Sequence, residues 1–315
     1  MKFTRRSALL AIFCLALSAS PAFADDPATP GDHAETITVG DLKRTYLLHV
    51  PPGYDKRKPV PLVLMLHGRG GNAQYTARTY AWSELADKEN FVVCYPEALP
   101  DRQGQNAWNA VFDTGQKADD VAFLSVLLTR LRSTLAVDPK RVYMNGHSSG
   151  GMMTYRFGAE KGADVSALGV VAGSIGSDYG TVRSIRVAKP TTPISLIAFH
   201  GKADATVGYD WRTKGGDPPI FRFVPAPESV NLFVAANGAD KKAKRDELSG
   251  GSVVRETFAG GKNGTEVVFY SIADGSHRWP GANYAASQPP ASGPATKDVD
   301  ATALIWEFFK THPRR

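Results

Sequence analysis

A glycine-framed serine motif constrains the fold of this chain more than any other segment. Residues 141–153 read Arg-Val-Tyr-Met-Asn-Gly-His-Ser-Ser-Gly-Gly-Met-Met, a short strand that runs through Gly-x-Ser-x-Gly into a helix. This order is typical of a nucleophile elbow, a tight strand-to-helix turn that exposes a serine hydroxyl. Gly146 and Gly150 suit the turn because a larger side chain at either position would block the approach of strand and helix. The segment predicts Ser148 as a nucleophile near the positive end of a helix dipole.

Two further motifs follow later strands in the order that a serine nucleophile needs, first an acid and then a histidine. Residues 192–199 form an apolar run suited to a buried parallel strand, and they lead to Asp204. Residues 265–272 form a second run of this kind, and His277 follows it. Because catalytic residues of open α/β sheets lie beyond the carboxyl ends of strands, we expect these side chains to meet Ser148 at one edge.

The residue types suit nucleophilic catalysis, although the residues alone leave alternatives open. A serine hydroxyl becomes a good nucleophile only when a histidine accepts its proton, and a carboxylate must fix the tautomer of that histidine. Asp210 and Asp217 are competing carboxylates close to Asp204 in the sequence. His200 and His147 are the next candidates for the base.

A glycine-rich turn after an earlier strand predicts an oxyanion hole. Residues 61–66 form an apolar strand, and residues 67–71 read His-Gly-Arg-Gly-Gly. Lipases and esterases place one backbone donor of the oxyanion hole in such a turn and the other just after the nucleophile. We therefore expect the backbone N–H groups of Arg69 and Ser149 to be the donors. An ordinary strand-to-helix turn is the structural alternative for this segment.

Aromatic residues near three predicted strand ends suggest a cleft for an ester that carries a ring or a sugar. They are Trp108, Tyr209 and Trp279. Residues 208–223 are long and rich in glycine and proline, so they predict a rim or partial lid. The side chain of Arg69 is a candidate cation near the bound ester.

The remaining segments predict an α/β fold in one domain. Residues 35–39 and 44–50 resemble an antiparallel strand pair at the start of the fold. Helices are predicted at residues 74–88, 119–135, 227–236 and 299–310. Strands and helices alternate in the way that a mostly parallel sheet with helices on both faces requires. We expect residues 25–315 to form this single catalytic domain.

The first 24 residues have the pattern of a signal peptide. Lys2, Arg5 and Arg6 precede a short apolar run, and Ala-Phe-Ala at residues 22–24 is a typical cleavage site. Cleavage would lower the net charge from +6 to +3, because this segment carries three basic residues and no acidic ones. This net charge is too small for a chain of this length to indicate a nucleic-acid-binding protein. Cys94 would be the single remaining cysteine, so we expect a periplasmic or extracellular protein without an internal disulfide or a membrane anchor.

Several short motifs together resemble a known esterase family. They are Leu-His-Gly-x-Gly-Gly-Asn-Ala at 66–73, Trp-Asn at 108–109, Asp-Asp-Val-Ala-Phe at 119–123, Asp-Pro-x-Arg-Val-Tyr at 138–143, Gly-x-Ser-x-Gly-Gly-Met at 146–152, His-Gly-x-x-Asp at 200–204 and Ser-His-x-Trp-Pro-Gly at 276–281. The combination resembles the polyhydroxybutyrate-depolymerase-type esterases, a group that includes feruloyl and acetylxylan esterases of carbohydrate esterase family one. This resemblance implies an α/β-hydrolase fold, a secreted serine esterase, and Ser148, Asp204 and His277 as the triad.

Two positions depart from that family, and both point away from a true polymer depolymerase. Ala239 stands where family members often have a disulfide cysteine, and Arg69 stands where extracellular polyester depolymerases often have a cysteine. The expected substrate is a small or polymer-borne ester, either a feruloyl or acetyl ester of plant polysaccharide or a short hydroxyalkanoate. A serine peptidase of the same fold and a catalytically silent binding protein are the alternatives. Since no cluster has the spacing of metal ligands, we expect no metal and no cofactor.

Overall fold

The computed structural model describes residues 28–112, 114–178, 186–210, 222–284 and 293–315. The predicted signal peptide, residues 1–24, lies outside the described residues, as do residues 211–221 of the predicted rim. The structure therefore tests the sequence predictions for the sheet, for the helices and for most of the strand-end loops.

The strands and helices follow one another along the chain in the alternating order that the sequence predicts. The strands are β1 Gly31–Val39, β2 Leu42–Val50, β3 Val60–Leu66, β4 Val92–Pro96, β5 Val137–His147, β6 Ala167–Val171, β7 Ser177–Asp178, β8 Ser195–Gly201, β9 Arg222–Phe223, β10 Lys244–Leu248, β11 Val253–Phe258 and β12 Val267–Ile272. The α-helices are α1 Ala73–Thr79, α2 Trp82–Glu89, α3 Asp120–Thr134, α4 Ser149–Lys161, α5 Ala226–Asn237 and α6 Ala301–Thr311. Short 3₁₀ turns occupy Gly162–Asp164, Ser249–Gly251 and Lys262–Gly264.

Ten of these strands form one mixed sheet in the order β1-β2-β4-β3-β5-β6-β8-β12-β11-β10. The six central strands, from β4 to β12, pair in parallel. Antiparallel pairs close both edges, with β1 and β2 on one side and β11 and β10 on the other. The fold is therefore α/β with a mostly parallel sheet, as predicted.

Hydrophobic cores lie on both faces of the sheet. Along β3, Leu62 and Leu64 belong to one core and Val63 and Met65 to the other, because successive side chains of a strand point to opposite faces. The first core also contains apolar residues of α3, α4 and α5, and the second contains residues of α2 and α6. Every residue of β3 is buried, which is why its sequence is uniformly apolar rather than alternating. Cys94 is a small buried side chain, as predicted.

The bounds of the strands and helices differ from the sequence predictions in three regions of the chain. The helix predicted at residues 74–88 is divided into α1 and α2, because Ala81 has a left-handed backbone with φ of 55° and ends the run. The sequence analysis also assigned no strands to residues 167–171 or 244–258, where the structure has β6, β10 and β11. The strand β10 is polar and half exposed at the sheet edge, so it carries little hydrophobic pattern.

Candidate active site

Ser148 lies on a strained turn between the end of β5 and the start of α4. Its φ of 54° and ψ of −120° are rarely adopted by residues with a side chain. The turn is tight enough that glycine is required on both sides. A Cβ on Gly146 would lie 2.4 Å from the carbonyl carbon of Gly150, and a Cβ on Gly150 would lie 2.3 Å from the carbonyl oxygen of Leu66. This is the geometry of a nucleophile elbow.

Three side chains from three strand ends form a continuous hydrogen-bonded chain. His277 Nε2 lies 2.9 Å from Ser148 Oγ, and His277 Nδ1 lies 2.7 Å from Asp204 Oδ2. The three residues follow β5, β8 and β12, which run parallel, so their carboxyl ends meet at one edge of the sheet. Asp204 and His277 are buried, with 3% and 8% of their surface exposed.

Asp204 is held as a carboxylate. Burial alone would raise the pKa of Asp204, but the hydrogen bond and charge interaction with His277, together with the charge interaction with His200 and the hydrogen bond from Val207, lower it. Its second oxygen, Oδ1, accepts hydrogen bonds of 2.8 Å from the backbone N–H groups of Thr206 and Val207. Of the competing carboxylates, Asp217 lies outside the described residues.

The two other candidate bases are buried neutral histidines. His200 Nε2 donates a hydrogen bond of 2.7 Å to the carbonyl oxygen of Val207, and burial lowers its pKa. His147 Nδ1 lies 3.1 Å from the hydroxyl of Tyr80, and burial lowers the pKa of His147 to about 3. His277, rather than either of these, lies within hydrogen-bond distance of Ser148 Oγ.

The glycine-rich turn after β3 faces the elbow. A Cβ on Gly68 would lie 3.3 Å from the Cβ of Ser148, so the turn and the nucleophile are in close contact. The turn is fixed by His67, whose Nδ1–H donates to the Gly68 carbonyl over 2.7 Å and whose Nε2 accepts from the backbone of Ala98 over 3.0 Å. Ser149 is the first residue of α4, where a backbone N–H has no acceptor within the helix.

The guanidinium of Arg69 is less available as a cation than the sequence suggested. It donates to Asp101 over 2.7 Å and to the side-chain oxygen of Gln103 over 3.3 Å. Arg69 is nevertheless among the residues that line the cleft around Ser148. The ion pair thus ties the glycine-rich turn to the loop after β4.

The cleft above the serine has a volume of about 420 Å³. It is lined by Gly68, Arg69, Gly70, Gly71, Asn72, Tyr75, Tyr80, His147, Ser148, His277, Arg278 and Tyr284. Three tyrosines therefore form its aromatic surface. The sequence analysis did not select these tyrosines, although Arg278 and Tyr284 follow His277 closely enough to have been found.

The structure places Trp108 in the core, which contradicts the prediction that it lines the cleft. Its side chain is fully buried and stacks against Phe123, with ring centroids 6.5 Å apart. Its indole Nε1–H donates to the carbonyl of His67 over 3.0 Å. Trp108 therefore supports the glycine-rich turn from behind.

Trp279 also lies away from the cleft surface, contrary to the prediction, whereas the predicted substrate contact of Tyr209, which lies close to the undescribed residues 211–221, stays a prediction. Trp279 is fully buried, stacks on Tyr80 at 4.6 Å and donates its Nε1–H to Thr302 Oγ1 over 3.0 Å. Tyr209 is half-buried, and its hydroxyl lies 2.8 Å from Ser271 Oγ on β12. Their positions after strand ends place these residues in loops, but the tertiary packing of each loop decides whether its ring faces the cleft or the core.

Among the residues that the structure describes, no three His, Cys, Asp or Glu side chains are grouped so that they could hold a metal ion. Of the helices in the described ranges, none has both the length and the apolar character needed to cross a membrane.

Comparison with known proteins agrees with this geometry. The sequence matches the Esterase PHB depolymerase family over residues 44–223, which is more than half of the chain. The chain belongs to this esterase family. NocK of Nocardia uniformis, an esterase by name, is 32% identical over 88% of this chain and 82% of its own length. Feruloyl esterase C of Emericella nidulans is 27% identical over 84% of this chain and 83% of its own length.

Solved structures show the same fold at low sequence identity. An acetyl xylan esterase from Aspergillus awamori superposes with a TM-score of 0.55 at 16% identity, covering 77% of this chain and 94% of that structure. A ferulic acid esterase from Anaeromyces mucronatus superposes with a TM-score of 0.52 at 14% identity, covering 90% of each chain. The esterase therefore has the α/β-hydrolase fold, and its family membership makes it a carboxylic ester hydrolase.

Proposed function

We propose that the esterase cleaves its substrate through an acyl-enzyme formed on Ser148, with His277 as the base and Asp204 as the orienting acid. The observation that carries this proposal is the unbroken chain of hydrogen bonds from Ser148 through His277 to Asp204, at 2.9 Å and 2.7 Å. A serine is activated only when its proton has an acceptor at such a distance.

The reaction proceeds in two steps. Ser148 Oγ attacks the ester carbonyl while its proton moves to His277 Nε2, and the imidazolium then protonates the leaving alcohol. Water next attacks the acyl carbonyl while His277 takes its proton, and the imidazolium returns that proton to Ser148 Oγ as the acyl–oxygen bond breaks and the carboxylic acid is released. Asp204 keeps the hydrogen of the neutral ring on Nδ1, so that Nε2 is free to accept.

The oxyanion of each tetrahedral intermediate would be stabilised by the backbone N–H groups of Arg69 and Ser149. Support comes from the contact of the glycine-rich turn with Ser148 and from the position of Ser149 at the start of α4. Loss of one such donor typically costs roughly 3–4 kcal/mol of transition-state stabilisation. His67 and Trp108, which hold the turn from behind, would support these donors indirectly.

The substrate we propose is an ester of a polysaccharide-borne feruloyl or acetyl group, or a short hydroxyalkanoate ester. A cleft of about 420 Å³ with three tyrosines can accommodate an acyl group of this size. The named activities of the relatives, feruloyl and acetylxylan esterases, support the same range. The signal-peptide pattern of residues 1–24 supports export to the periplasm or the medium.

Replacement of the serine tests the proposal. Ser148→Ala should reduce kcat by at least about 10³-fold and abolish labelling by a serine-directed fluorophosphonate, with an unchanged unfolding temperature. Ser166 precedes β6, at the end of the parallel strands opposite to Ser148. Ser166→Ala is the matched control and should retain both the activity and the fluorophosphonate labelling of the parent. Activity of the Ser148 variant within about tenfold of the parent would contradict the assignment.

A substrate panel distinguishes the acyl groups and the alternative reactions. Methyl ferulate, p-nitrophenyl acetate, p-nitrophenyl octanoate, hydroxybutyrate oligomers and an aminoacyl amide should be compared by kcat/KM. We expect one of the first four to be preferred. A clear preference for the amide would instead indicate a peptidase, and a labelled protein that turns over none of them would contradict the proposed substrates.

A further inference from the structure

The cleft above the serine presents positive charge to a bound substrate. Among the described residues that line it, Arg69 and Arg278 carry a full charge, and none is an aspartate or a glutamate. The carboxylates of Asp101 and Asp204 lie behind this surface, with 4% and 0% of their side chains exposed, and they contact Arg69 and His277. The surface that an ester meets is therefore cationic.

The two arginines of the cleft are held by different kinds of contact. The Arg69 guanidinium is paired with the Asp101 carboxylate over 2.7 Å. Arg278 Nε donates to the carbonyl oxygen of Gly293 over 3.0 Å, and its guanidinium carbon lies 4.3 Å from the centroid of the Tyr284 ring. A carbonyl oxygen and an aromatic face orient a guanidinium, but neither of these two contacts neutralises its charge. Arg278 therefore contributes more of the positive character of the cleft than Arg69 does.

Arg278 lies on the side of the cleft where the leaving alcohol is expected. It directly follows His277 in the loop after β12, and both residues line the cleft together with Ser148. Because His277 protonates the leaving alcohol in the proposed mechanism, that alcohol must lie beside this loop. A cleft of about 420 Å³ that contains both Ser148 and Arg278 is small enough for one bound ester to contact both.

We propose that Arg278 is a specificity-determining residue that selects esters whose alcohol portion carries a carboxylate. This inference rests on the proposed function and narrows its substrate class. Hydrogen bonds between a guanidinium and a carboxylate are shorter and stronger than those between neutral groups. A neutral alcohol portion would forgo that interaction, whereas an anionic one would gain it.

Two of the ester classes considered above supply such a carboxylate. A short hydroxyalkanoate oligomer with a free acid end carries it in the alcohol portion of its last ester bond. An acetylated polysaccharide carries it in the same portion wherever the acetylated sugar is a uronic acid. The hydroxybutyrate dimer and an acetylated galacturonoside, each compared with its neutral amide, distinguish these two sources by the larger ratio of kcat/KM.

Matched aryl esters that differ only in charge test the preference itself. 4-Acetoxybenzoate and 4-acetoxybenzamide transfer the same acetyl group, and they carry a carboxylate or a neutral amide in the alcohol portion. Arg278→Gln should lower kcat/KM for the benzoate about tenfold more than for the benzamide. Arg278→Lys, which keeps the charge, should retain a ratio closer to that of the parent than Arg278→Gln does.

Three outcomes of these assays would overturn the inference. An unchanged ratio of benzoate to benzamide in Arg278→Gln would remove Arg278 from recognition of the carboxylate. An equal loss for both esters would assign Arg278 to support of the loop through Gly293 and Tyr284. The mono-p-nitrophenyl esters of adipic acid and of its monoamide carry the same difference in the acyl portion, and a change of ratio confined to that pair would place the carboxylate on the wrong side.

Arg245→Gln is the control for the net charge of the protein. Arg245 lies on β10, at the far edge of the sheet, and 58% of its side chain is exposed. This substitution removes one positive charge, as Arg278→Gln does, but leaves the cleft as it is. We expect the ratio of benzoate to benzamide to equal that of the parent. A fall as large as in Arg278→Gln would assign the preference to the overall charge and overturn the inference.

Binding measurements on the parent test the inference without turnover. 4-Acetamidobenzoate and 4-acetamidobenzamide are amide analogues of the two aryl esters, and ligand-observed NMR gives their Kd values. The benzoate should bind several-fold more tightly, and this difference should shrink when NaCl is raised from about 0.1 M to about 1 M, because the Debye length falls from about 10 Å to about 3 Å. Equal Kd values at low salt would overturn the inference. Since no bond is cleaved, a failure of the proposed mechanism would appear in Ser148→Ala and not here.

Discussion

The two walls of the cleft hold their side chains by different means. The catalytic wall, named after the proposed catalytic residues, consists of Ser148 and His277, with Asp204 buried behind them. Each of these residues lies within about five residues of the end of a parallel strand. Local turns then fix the side chains, as when Thr206 and Val207 donate to the Asp204 carboxylate. Sequence neighbours therefore position the side chains that we propose as the catalytic groups.

The aromatic wall is held by contacts between distant parts of the chain. It consists of Tyr75, Tyr80 and Tyr284. Tyr80 stacks on Trp279, and its carbonyl accepts a hydrogen bond from Thr302, which lies 222 residues away in the sequence. The residues of the catalytic wall are therefore recognisable from short motifs, whereas the shape of the aromatic wall depends on tertiary packing.

The largest effect on activity is expected from Asp204→Asn, which changes a hydrogen bond behind the catalytic wall and keeps the packing around it. In Asp204→Asn the amide oxygen can still accept from Thr206 and Val207, but its NH₂ group would face His277 Nδ1. The ring would then carry its hydrogen on Nε2 and could not accept the proton of Ser148. We expect kcat to fall about 10⁴-fold, the size of the same change in a serine protease, with KM and the unfolding temperature little changed.

Asp210→Asn is the matched control for that prediction. Asp210 follows the same strand, but Asp204 is the carboxylate that contacts His277. We expect Asp210→Asn to retain kcat within about twofold. Should the Asp210 variant lose activity while the Asp204 variant keeps it, the acid has been assigned to the wrong residue.

Two aromatic substitutions distinguish a residue that lines the cleft, Tyr75, from a residue that packs behind the glycine-rich turn, Trp108. Tyr75→Ala removes a ring that lines the cleft, so KM should rise several-fold with a smaller change in kcat, as expected when uniform binding is lost. Trp108→Phe removes the indole donor and leaves the buried carbonyl of His67 without its partner. An unsatisfied buried group costs about 1–3 kcal/mol, so the unfolding temperature should fall by several degrees while KM changes little.

Steady-state kinetics and thermal unfolding of both variants decide this prediction. The sequence analysis expected Trp108 to bind substrate, and the structure places it behind the glycine-rich turn. A large rise in KM for Trp108→Phe at an unchanged unfolding temperature would restore that first expectation. A loss of stability without any change of KM in Tyr75→Ala would remove Tyr75 from the binding surface.

The sequence predicted the sheet, and it predicted that Ser148, Asp204 and His277 would meet at one end of the parallel strands, because both depend on local patterns. Apolar runs such as residues 61–66 identify buried strands, and the residue types required by the chemistry follow them directly. The aromatic wall was not predicted, because an aromatic residue in a loop can face either the cleft or the core. Trp279 faces the core two residues after His277, and Tyr284 faces the cleft five residues further on.

The break between α1 and α2 was not predicted for a related reason. The sequence around Ala81 has no proline or glycine, the residues that usually mark the end of a helix. The left-handed conformation of Ala81 is stabilised by tertiary contacts of Tyr80, which no local pattern records. Where packing overrides local preference, the sequence alone gives no signal.

A further expected effect concerns acid stability and compares the buried histidines with the buried carboxylate. Burial lowers the pKa of His67, His147 and His200, so the unfolded chain takes up protons below about pH 6.5 that the folded protein does not. The free energy of unfolding should therefore be constant above this pH and fall as the pH is lowered from it. The pKa of Asp204 is also lowered, but its contribution is lost only below about pH 3.8.

Denaturant unfolding at several pH values between about 7.5 and about 4.5 measures this loss, and one variant assigns part of it. Each histidine that protonates only on unfolding contributes a slope of about 1.4 kcal/mol per pH unit. Because glutamine does not titrate, His147→Gln should reduce the slope below about pH 6.5 by about that amount. It should leave stability below about pH 3.8 under the control of carboxylates such as Asp204. If the free energy of unfolding had the same pH dependence in the parent and in His147→Gln, His147 would take up its proton in the folded protein. The interpretation of His147 as a buried neutral ring beside His277 would then be wrong.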